Sequence, residues 1–246
     1  MPLPHRPRSK LLVSLMTYNE RDNLAPLIAE IHKFSPAAEV LVVDDNSPDG
    51  TGILADELAV ADARIHVLHR SGKLGLGTAT LTAMRYAIEH DYEFLQTMDA
   101  DFSHPPRFLP AIAAGMTHQD VMIGSRYVAG GGTEGWPKGR LLISKSVNAL
   151  VRFLFRMPVK DASGAFRCYR VQNLKQARLD WMVSKGYSFQ QEVLYRVFLT
   201  EARLGETPII FENRRHGVSK VNAQEAIRSI TTILLLGTQR FFGLRG

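Results

Sequence analysis

The chain has 246 residues, a formal net charge of +6 at pH 7 and a single cysteine. Its hydrophobic fraction of 45% and charged fraction of 22% are typical of a one-domain globular protein. The basic charge favours an anionic partner such as a phosphate-rich ligand, a nucleic acid or an anionic membrane surface. The lone Cys168 excludes an intrachain disulfide, and we expect it to be a small buried hydrophobe.

Neither a secretory signal peptide nor a membrane-spanning helix is expected. Residues 1–10 are basic, rich in proline and lack the apolar core of a signal peptide, so we predict a disordered N-terminal segment. No stretch approaches the roughly 20 apolar residues that a spanning helix needs. The best candidate, 230–236, is short and contains two threonines. We therefore expect that the chain does not cross a membrane, although it can lie on one.

The first half of the chain alternates apolar runs with helical patterns. Apolar side chains at helical spacing predict helices over 24–34 and 79–88. The apolar runs predict strands over 11–16, 39–45, 64–68, 94–99 and 120–124. This alternation favours a single α/β domain in which helices flank a mostly parallel sheet. Ligands of such sheets bind beyond the carboxyl ends of the strands.

The second half begins with a glycine-rich loop at 130–132. A helix from about 141 to 156 has a broad apolar side, with Arg152 and Arg156 on another side. Two interpretations of this helix stay open: a core helix with a wet edge, or an interfacial helix on a membrane. Further on, the sequence predicts strands over 164–169 and 207–212, and helices near 189–200 and over 224–236.

The most informative motif is the pair Asp99 and Asp101 at the end of an apolar strand. Extended chain places residues i and i+2 on one side, where two carboxylates repel each other unless a cation lies between them or one is protonated. Mg²⁺ commonly joins one or two carboxylates to a substrate's phosphates. A solvated turn is the alternative, because a single such pair is a weak signal.

A second polar cluster, 44–51, follows the next apolar strand. Turn and capping chemistry explain 46–51 well. They explain the adjacent Asp44 and Asp45 poorly, and we expect a base or ribose to donate hydrogen bonds to one of them. Two interpretations of Glu20 remain equally open: it stabilises the first turn of its own helix, or it contacts a ligand. We interpret His104 as a structural loop residue and not as a base.

The glycine fingerprints of dinucleotide and P-loop sites are absent, so a nucleotide site here has to use carboxylates and a metal. Four dispersed cations can serve such a site, although each alone fits a solvated surface residue. Together they could neutralise a diphosphate leaving group and a second, acceptor phosphate. These residues are Arg126, Arg140, Arg214 and Lys220.

In order along the chain, these motifs closely resemble those of the family-2 inverting glycosyltransferases with the GT-A fold, and among them the polyprenol (dolichol) phosphate mannose synthases. The matching stretches are 17–21, 44–51, 73–79, 98–106, 124–127, 136–144, 161–167, 189–192 and 217–220. Two positions depart from the pattern. Met16 stands where the family often has proline, and Ser103 stands where some members place a metal-binding glutamine.

The resemblance implies a role for each matching residue. The donor would be bound by Met16, Tyr18, Glu20, Val43, Asp45, Asp99, Ala100, Asp101, Arg126, Arg214 and Lys220. Asp99 and Asp101 would hold Mg²⁺ or Mn²⁺, with Ser103 at the position of a third ligand. The acceptor would be bound by Arg126, Arg140 and Ser144. Catalytic roles would fall to Asp101, Arg126, Arg140 and Glu192.

The implied activity is inverting transfer of mannose from GDP-mannose to a polyprenyl (dolichyl-type) phosphate, which gives a β-linked polyprenyl phosphate mannose and GDP. A lipid monophosphate is largely anionic at pH 7, since its second pKa is about 6, so it needs no strong protein base. Catalysis then rests on positioning and on metal neutralisation of the leaving group. The alternatives are glucosyl transfer from a UDP-sugar and a catalytically silent membrane-surface partner subunit.

For the organisation of the chain, we predict a catalytic domain over 11–222, with a nucleotide-sugar half over 11–128 and an acceptor half over 129–222. A C-terminal amphipathic helix or tail would occupy 223–246. We expect a cytoplasmic protein attached peripherally to the cytoplasmic face of a membrane, directly or through a small integral membrane partner. Nucleic acid is not an expected partner, because the basic residues are scattered and form no stripe.

Overall fold

The computed structural model describes residues 10–184, 186, 188–213, 231, 233, 234 and 237. The strands of this part are β1 (Leu11–Thr17), β2 (Glu39–Asp44), β3 (Ile65–His69), β4 (Phe94–Asp99), β5 (Val121–Ser125), β6 (Gly132–Thr133), β7 (Arg167–Arg170), β8 (Leu204–Pro208) and β9 (Ile210–Phe211). The α-helices are α1 (Arg21–Phe34), α2 (Thr51–Ala61), α3 (Leu76–Glu89), α4 (Leu109–Gly115), α5 (Lys138–Phe155), α6 (Val171–Gln176) and α7 (Phe189–Phe198).

Seven strands form one sheet in the order β3-β2-β1-β4-β7-β5-β8. Only β7 runs antiparallel to its neighbours β4 and β5, so the predicted mostly parallel sheet is confirmed. The strands β6 and β9 form a separate two-stranded ribbon. Because parallel strands point the same way, the loops that follow β1, β2, β4 and β5 meet at one edge of the large sheet.

The core lies on both faces of this sheet. Along β2, Val40 and Val42 belong to the core on the side of α1, α2 and α4, whereas Leu41 and Val43 belong to the core on the side of α3, α5 and α7. Successive strand residues point to opposite faces, and both faces are covered by helices. This double cover explains why the strands read as unbroken apolar runs. Cys168 is fully buried in β7, where burial raises the pKa of its thiol, as expected of a small core residue.

The structure corrects two predicted strands. The strand predicted over 164–169 begins only at Arg167, and the residues before it form a loop at the sheet edge. The strand predicted over 207–212 is two strands, β8 and β9, in different sheets. The chain passes from the large sheet to the two-stranded ribbon at the buried Ile209. The N–H of Ile209 donates a hydrogen bond to the carbonyl of Ser125, and its carbonyl accepts one from the N–H of Gly132.

The short helices α4 and α6 have no counterpart in the sequence prediction, because 7 and 6 residues are too few to display a helical period. Residues 1–9 and most of the predicted tail helix lie outside the described residues. The predicted boundaries at 128 and 222 stay predictions. Within the described part of the chain, no helix is both long enough and apolar enough to cross a bilayer.

Candidate active site

A cleft of about 370 Å³ opens at the sheet edge where β1, β2, β4 and β5 end. Most of the residues predicted for the site line it. They are Met16, Tyr18, Glu20, Asp45, Asp99, Ala100, Asp101, Arg126 and Arg140. The order of the strands therefore brings residues that are more than 100 positions apart in the sequence to one surface.

One end of the cleft is built by the loops after β1 and β2. Tyr18 lines it, and the ammonium group of Lys73 lies 4.5 Å from the centre of the Tyr18 ring. Glu20 lines the same end, while its carboxylate accepts a hydrogen bond from the Asn23 side chain at 2.8 Å. Glu20 thus contacts its own helix and also lines the cleft, and its contact with a ligand stays a prediction.

Asp44 and Asp45 find their partners within the chain. Asp44 accepts from the Thr17 hydroxyl at 2.9 Å and from the Ser47 backbone at 2.9 Å. Asp45 pairs with the Arg70 guanidinium at 2.7 Å and accepts from the backbone N–H groups of 74 and 75. A bound base or ribose is therefore not needed to satisfy these two carboxylates. Asp45 still lines the cleft, so its contact with a donor stays a prediction.

Val43, which the resemblance assigns to the donor site, does not line the cleft, so its contact with a donor stays a prediction. Its side chain is fully buried in the core on the α3 side of the sheet. The strict alternation of β2 explains this position, because Val43 points into a helix-covered face while the strand end beyond it reaches the edge.

The acidic pair lies at the middle of the cleft. Asp99 is the last residue of β4, and Asp101 follows in a turn where its carboxylate accepts the Ser103 N–H at 3.0 Å. The Ser103 hydroxyl is buried and has no hydrogen-bond partner among the described residues. Those residues include no cluster of three or more His, Cys, Asp or Glu that could hold a metal. The donor set fits Mg²⁺ or Mn²⁺ that also takes oxygen ligands from a substrate's phosphates and water.

His104 is buried beside this pair. Its Nδ1 accepts the backbone N–H of Asp99 at 3.0 Å, so we infer that the ring proton is on Nε2. Burial lowers the pKa of His104, with the nearby carboxylates of Asp99 and Asp101 opposing it. The neutral ring therefore supports the turn that carries the carboxylates, in agreement with the structural role expected from the sequence.

Arg126 follows β5 and is almost completely buried. Its Nε and Nη2 donate to the two carboxylate oxygens of Asp161 at 2.7 Å each, and Nη2 also donates to the Ser163 hydroxyl at 2.8 Å. Burial alone would raise the pKa of Asp161, but the Arg126 guanidinium outweighs burial and holds it below the usual range. Asp161 is part of a matching stretch, yet no role for it is predicted from the sequence.

The mouth of the cleft combines cations with aromatic rings. The Arg140 guanidinium lies 3.8 Å from the centre of the Trp136 ring, and Arg126 lies 5.3 Å from the same ring. Ser144, one helical turn after Arg140, does not line the cleft. Its hydroxyl accepts a hydrogen bond from the Tyr127 hydroxyl at 2.6 Å. Arg214 and Lys220 lie outside the described residues.

Glu192, predicted to be catalytic, is not brought into the cleft. Its fully buried carboxylate accepts from the backbone N–H of Ser184 at 2.8 Å and from Arg196 Nε at 2.8 Å. Its neighbours Gln190 and Gln191 do line the cleft, although the sequence assigns them no role. The available signal was their position, two adjacent amides in the first turn of a largely apolar helix.

A mostly parallel α/β sheet with paired carboxylates at the end of a central strand, in a cleft that also holds two arginines, fits a glycosyltransferase with the GT-A fold. The family model for glycosyl transferase family 2 matches residues 13–177. The chain belongs to this family and is a hexosyltransferase, as the sequence predicts.

Two curated relatives match nearly the whole chain. A polyprenol monophosphomannose synthase from Mycolicibacterium smegmatis is 44% identical over 234 residues, which cover 92% of this chain and 87% of the relative. An undecaprenyl-phosphate mannosyltransferase from Micrococcus luteus is 37% identical over 237 residues, which cover 96% of this chain and 98% of the relative.

Two solved structures share the fold. Glucosyl-3-phosphoglycerate synthase from Mycobacterium tuberculosis, in complex with Mn²⁺ and UDP-glucose, has a TM-score of 0.65 and 17% identity, covering 92% of this chain and 78% of that one. A mannosyltransferase from Pyrobaculum calidifontis, in complex with GDP-mannose and Mn²⁺, has a TM-score of 0.61 and 17% identity, covering 92% and 64%.

Proposed function

We propose that the chain transfers mannose from GDP-mannose to a polyprenyl phosphate in a single inverting step, which gives β-linked polyprenyl phosphate mannose and GDP. The observation that carries the proposal is the position of Asp99 and Asp101, between an end of the cleft suited to a nucleoside and a cationic, aromatic mouth. The names of the two curated relatives support mannose as the sugar and a polyprenyl phosphate as the acceptor.

In this proposal the donor lies along the sheet edge. Tyr18, Glu20 and Asp45 contact the nucleoside, and Met16 and Ala100 line the surface between nucleoside and diphosphate. Asp99 and Asp101 hold Mg²⁺ or Mn²⁺, which when bound neutralises the charge of the departing diphosphate. The Mn²⁺ complexes of the two solved structures support a divalent metal in this fold.

The acceptor phosphate enters on the side of Arg126 and Arg140. Because a phosphomonoester is already anionic at neutral pH, the chain has only to orient it and need not remove a proton. Arg140 is exposed at the mouth, where it can meet the phosphate, and Arg126 is held rigidly by Asp161. We propose that Arg214 and Lys220 add further phosphate contacts.

For Glu192 and Ser144, the contacts favour a positioning role. Glu192 fixes the backbone at 183–184, just before the helix whose first turn lines the cleft. Ser144 acts through the Tyr127 hydroxyl, next to the Arg126 guanidinium. Neither side chain needs to touch a substrate for its loss to reduce turnover.

We also propose that helix α5 attaches the protein peripherally to the cytoplasmic face of a membrane, alone or with a small integral partner. Its inner side is buried at Asn148, Val151 and Phe155. Its outer side exposes Leu142 and Phe153, which are 68% and 75% accessible and share a direction because three helical turns separate them. Basic residues flank this strip at 138, 145, 152 and 156. An exposed apolar strip with basic flanks is typical of an interfacial helix.

The experiment offers purified protein a polyprenyl phosphate with either GDP-mannose or UDP-glucose, in Mg²⁺ or Mn²⁺, and identifies the lipid product by mass spectrometry. We expect a mannosylated lipid from GDP-mannose. A glucosylated lipid from UDP-glucose alone contradicts the choice of donor. An equal yield from an Asp101→Asn variant contradicts the role of the acidic pair.

A further inference from the structure

The side chain of Gln190 is buried and unpaired at the wall of the cleft. It is 5% exposed, and neither its amide nitrogen nor its amide oxygen has a hydrogen-bond partner among the described residues. A buried amide without partners destabilises the ligand-free protein. An open cleft beside such a group indicates that a bound molecule supplies the missing partners.

Gln96 provides an internal comparison. Its amide is also buried and without a partner among the described residues, but it lies within β4 and does not line the cleft. The lack of a partner alone therefore does not mark a ligand site. What distinguishes Gln190 is that the residue lines the cleft, in the first turn of α7.

The surroundings of Gln190 fix its place along the cleft. The fully buried Arg167 donates to the backbone carbonyl of Gln190 at 2.6 Å and to the backbone carbonyl of Ala162 at 2.7 Å. Asp161, which precedes Ala162 in the chain, forms the ion pair with Arg126. Gln190 is therefore anchored to the β7–β5 side of the acidic pair.

The order of the strands indicates which part of a bound nucleotide sugar would reach Gln190. Along the sheet the order is β2, β1, β4, β7, β5, with Asp45 just after β2, Asp99 ending β4 and Arg126 just after β5. A nucleotide sugar with its nucleoside over β1 and β2 and its diphosphate at Asp99 extends its sugar past β4. Gln190 lies on that far side.

We propose that Gln190 hydrogen-bonds hydroxyl groups of the transferred hexose and sets the discrimination between sugars. This inference rests on the proposed function. An amide offers two N–H donors and a carbonyl acceptor, so it can pair with a hydroxyl in either sense. It is also neutral, so it does not repel the donor's diphosphate as a carboxylate would.

The test compares Gln190→Met and Gln190→Glu with wild type and with the matched control Gln96→Met. Affinity is measured for GDP and for GDP-mannose, and kcat/KM is measured for GDP-mannose and for donors that lack one sugar hydroxyl. For Gln190→Met we expect unchanged GDP affinity and a kcat/KM for GDP-mannose that is lower by about 10- to 100-fold. The wild type discriminates against at least one deoxy donor, and the variant loses that discrimination. Gln96→Met keeps both properties.

Two results would overturn the inference: an equal loss of GDP and GDP-mannose affinity, or the same discrimination among deoxy donors in variant and wild type. If Gln190→Met does not fold, Gln190→Glu keeps the shape of the side chain. For that variant only the discrimination among deoxy donors is compared with wild type, because its charge repels the diphosphate of GDP and of GDP-mannose alike. If the wild type uses another nucleotide sugar, the series is run with that sugar and its nucleoside diphosphate. A wrong donor is thereby distinguished from a wrong role for Gln190.

Discussion

Arg126 and Asp161 are joined by two parallel hydrogen bonds of 2.7 Å, with side chains that are only 8% and 0% exposed. This geometry is the strong two-point form of an arginine–carboxylate pair. It has two consequences for the cleft. The guanidinium is fixed at the end of β5, and its charge is balanced inside the protein before any phosphate arrives.

We predict that Asp161→Asn destabilises the fold by about 3–5 kcal/mol, because it leaves the buried Arg126 without a counter-charge. Unfolding in urea, followed by circular dichroism, measures the change. The control is Asp180→Asn, which removes an exposed partner of Arg85 and should have no measurable effect. Equal stability of Asp161→Asn and wild type would show that the pair is not coupled to folding.

The stability gap between Asp161→Asn and wild type should depend on pH. Because the pKa of Asp161 is depressed in the folded state, its contribution is fully present above its unfolded value of 3.8 and is lost as the pH falls towards the folded pKa. The gap is therefore expected to be constant near neutral pH and to shrink below about pH 3.8. Urea unfolding at a series of pH values measures it. A gap that widens in acid contradicts the assigned direction.

Asp99→Asn and Asp101→Asn should each reduce kcat/KM by about 100-fold or more and raise the metal concentration needed for half-maximal rate. The reason is that each variant removes one of the two carboxylates that the cleft offers to a metal. Steady-state kinetics with metal titration give both quantities. The control is Asp91→Asn, because Asp91 is an exposed ion-pair partner of Lys175. Full wild-type activity in a chelator would refute a metal-dependent reaction.

Leu142→Glu and Phe153→Glu should weaken co-flotation with anionic liposomes, since each places a charge on the exposed strip of α5. Ile53→Glu is the matched control, because Ile53 is similarly exposed, at 67%, but lies on α2. Equal flotation of all three variants would argue against α5 as the attachment surface.

Much of the sheet is predictable, because β1 to β5 are apolar runs covered by helices on both faces. The acidic pair is predictable for a related reason. Charge at the end of a buried strand is conspicuous, and the end of a parallel strand is where ligands bind.

The ion-pair partners of the predicted charged residues are harder to predict from the sequence. Arg70 lies 25 residues from Asp45, and Asp161 lies 35 residues from Arg126, so only the fold shows that they pair. The orientation of single side chains on a helix is also hidden. In α7 the motif contains three adjacent polar residues, and the structure turns Glu192 inward while Gln190 borders the cleft.

A single displacement inverts the anomeric carbon of the donor sugar, so the anomeric configuration of the product distinguishes it from a retaining reaction. Wild-type protein is supplied with GDP-mannose, in which the sugar is α-linked, polyprenyl phosphate and a divalent metal, and the mannosyl lipid is examined by NMR. We predict a β-linked mannosyl phosphate that is absent with Asp101→Asn. An α-linked product, or no mannosyl lipid from the wild type, would contradict it.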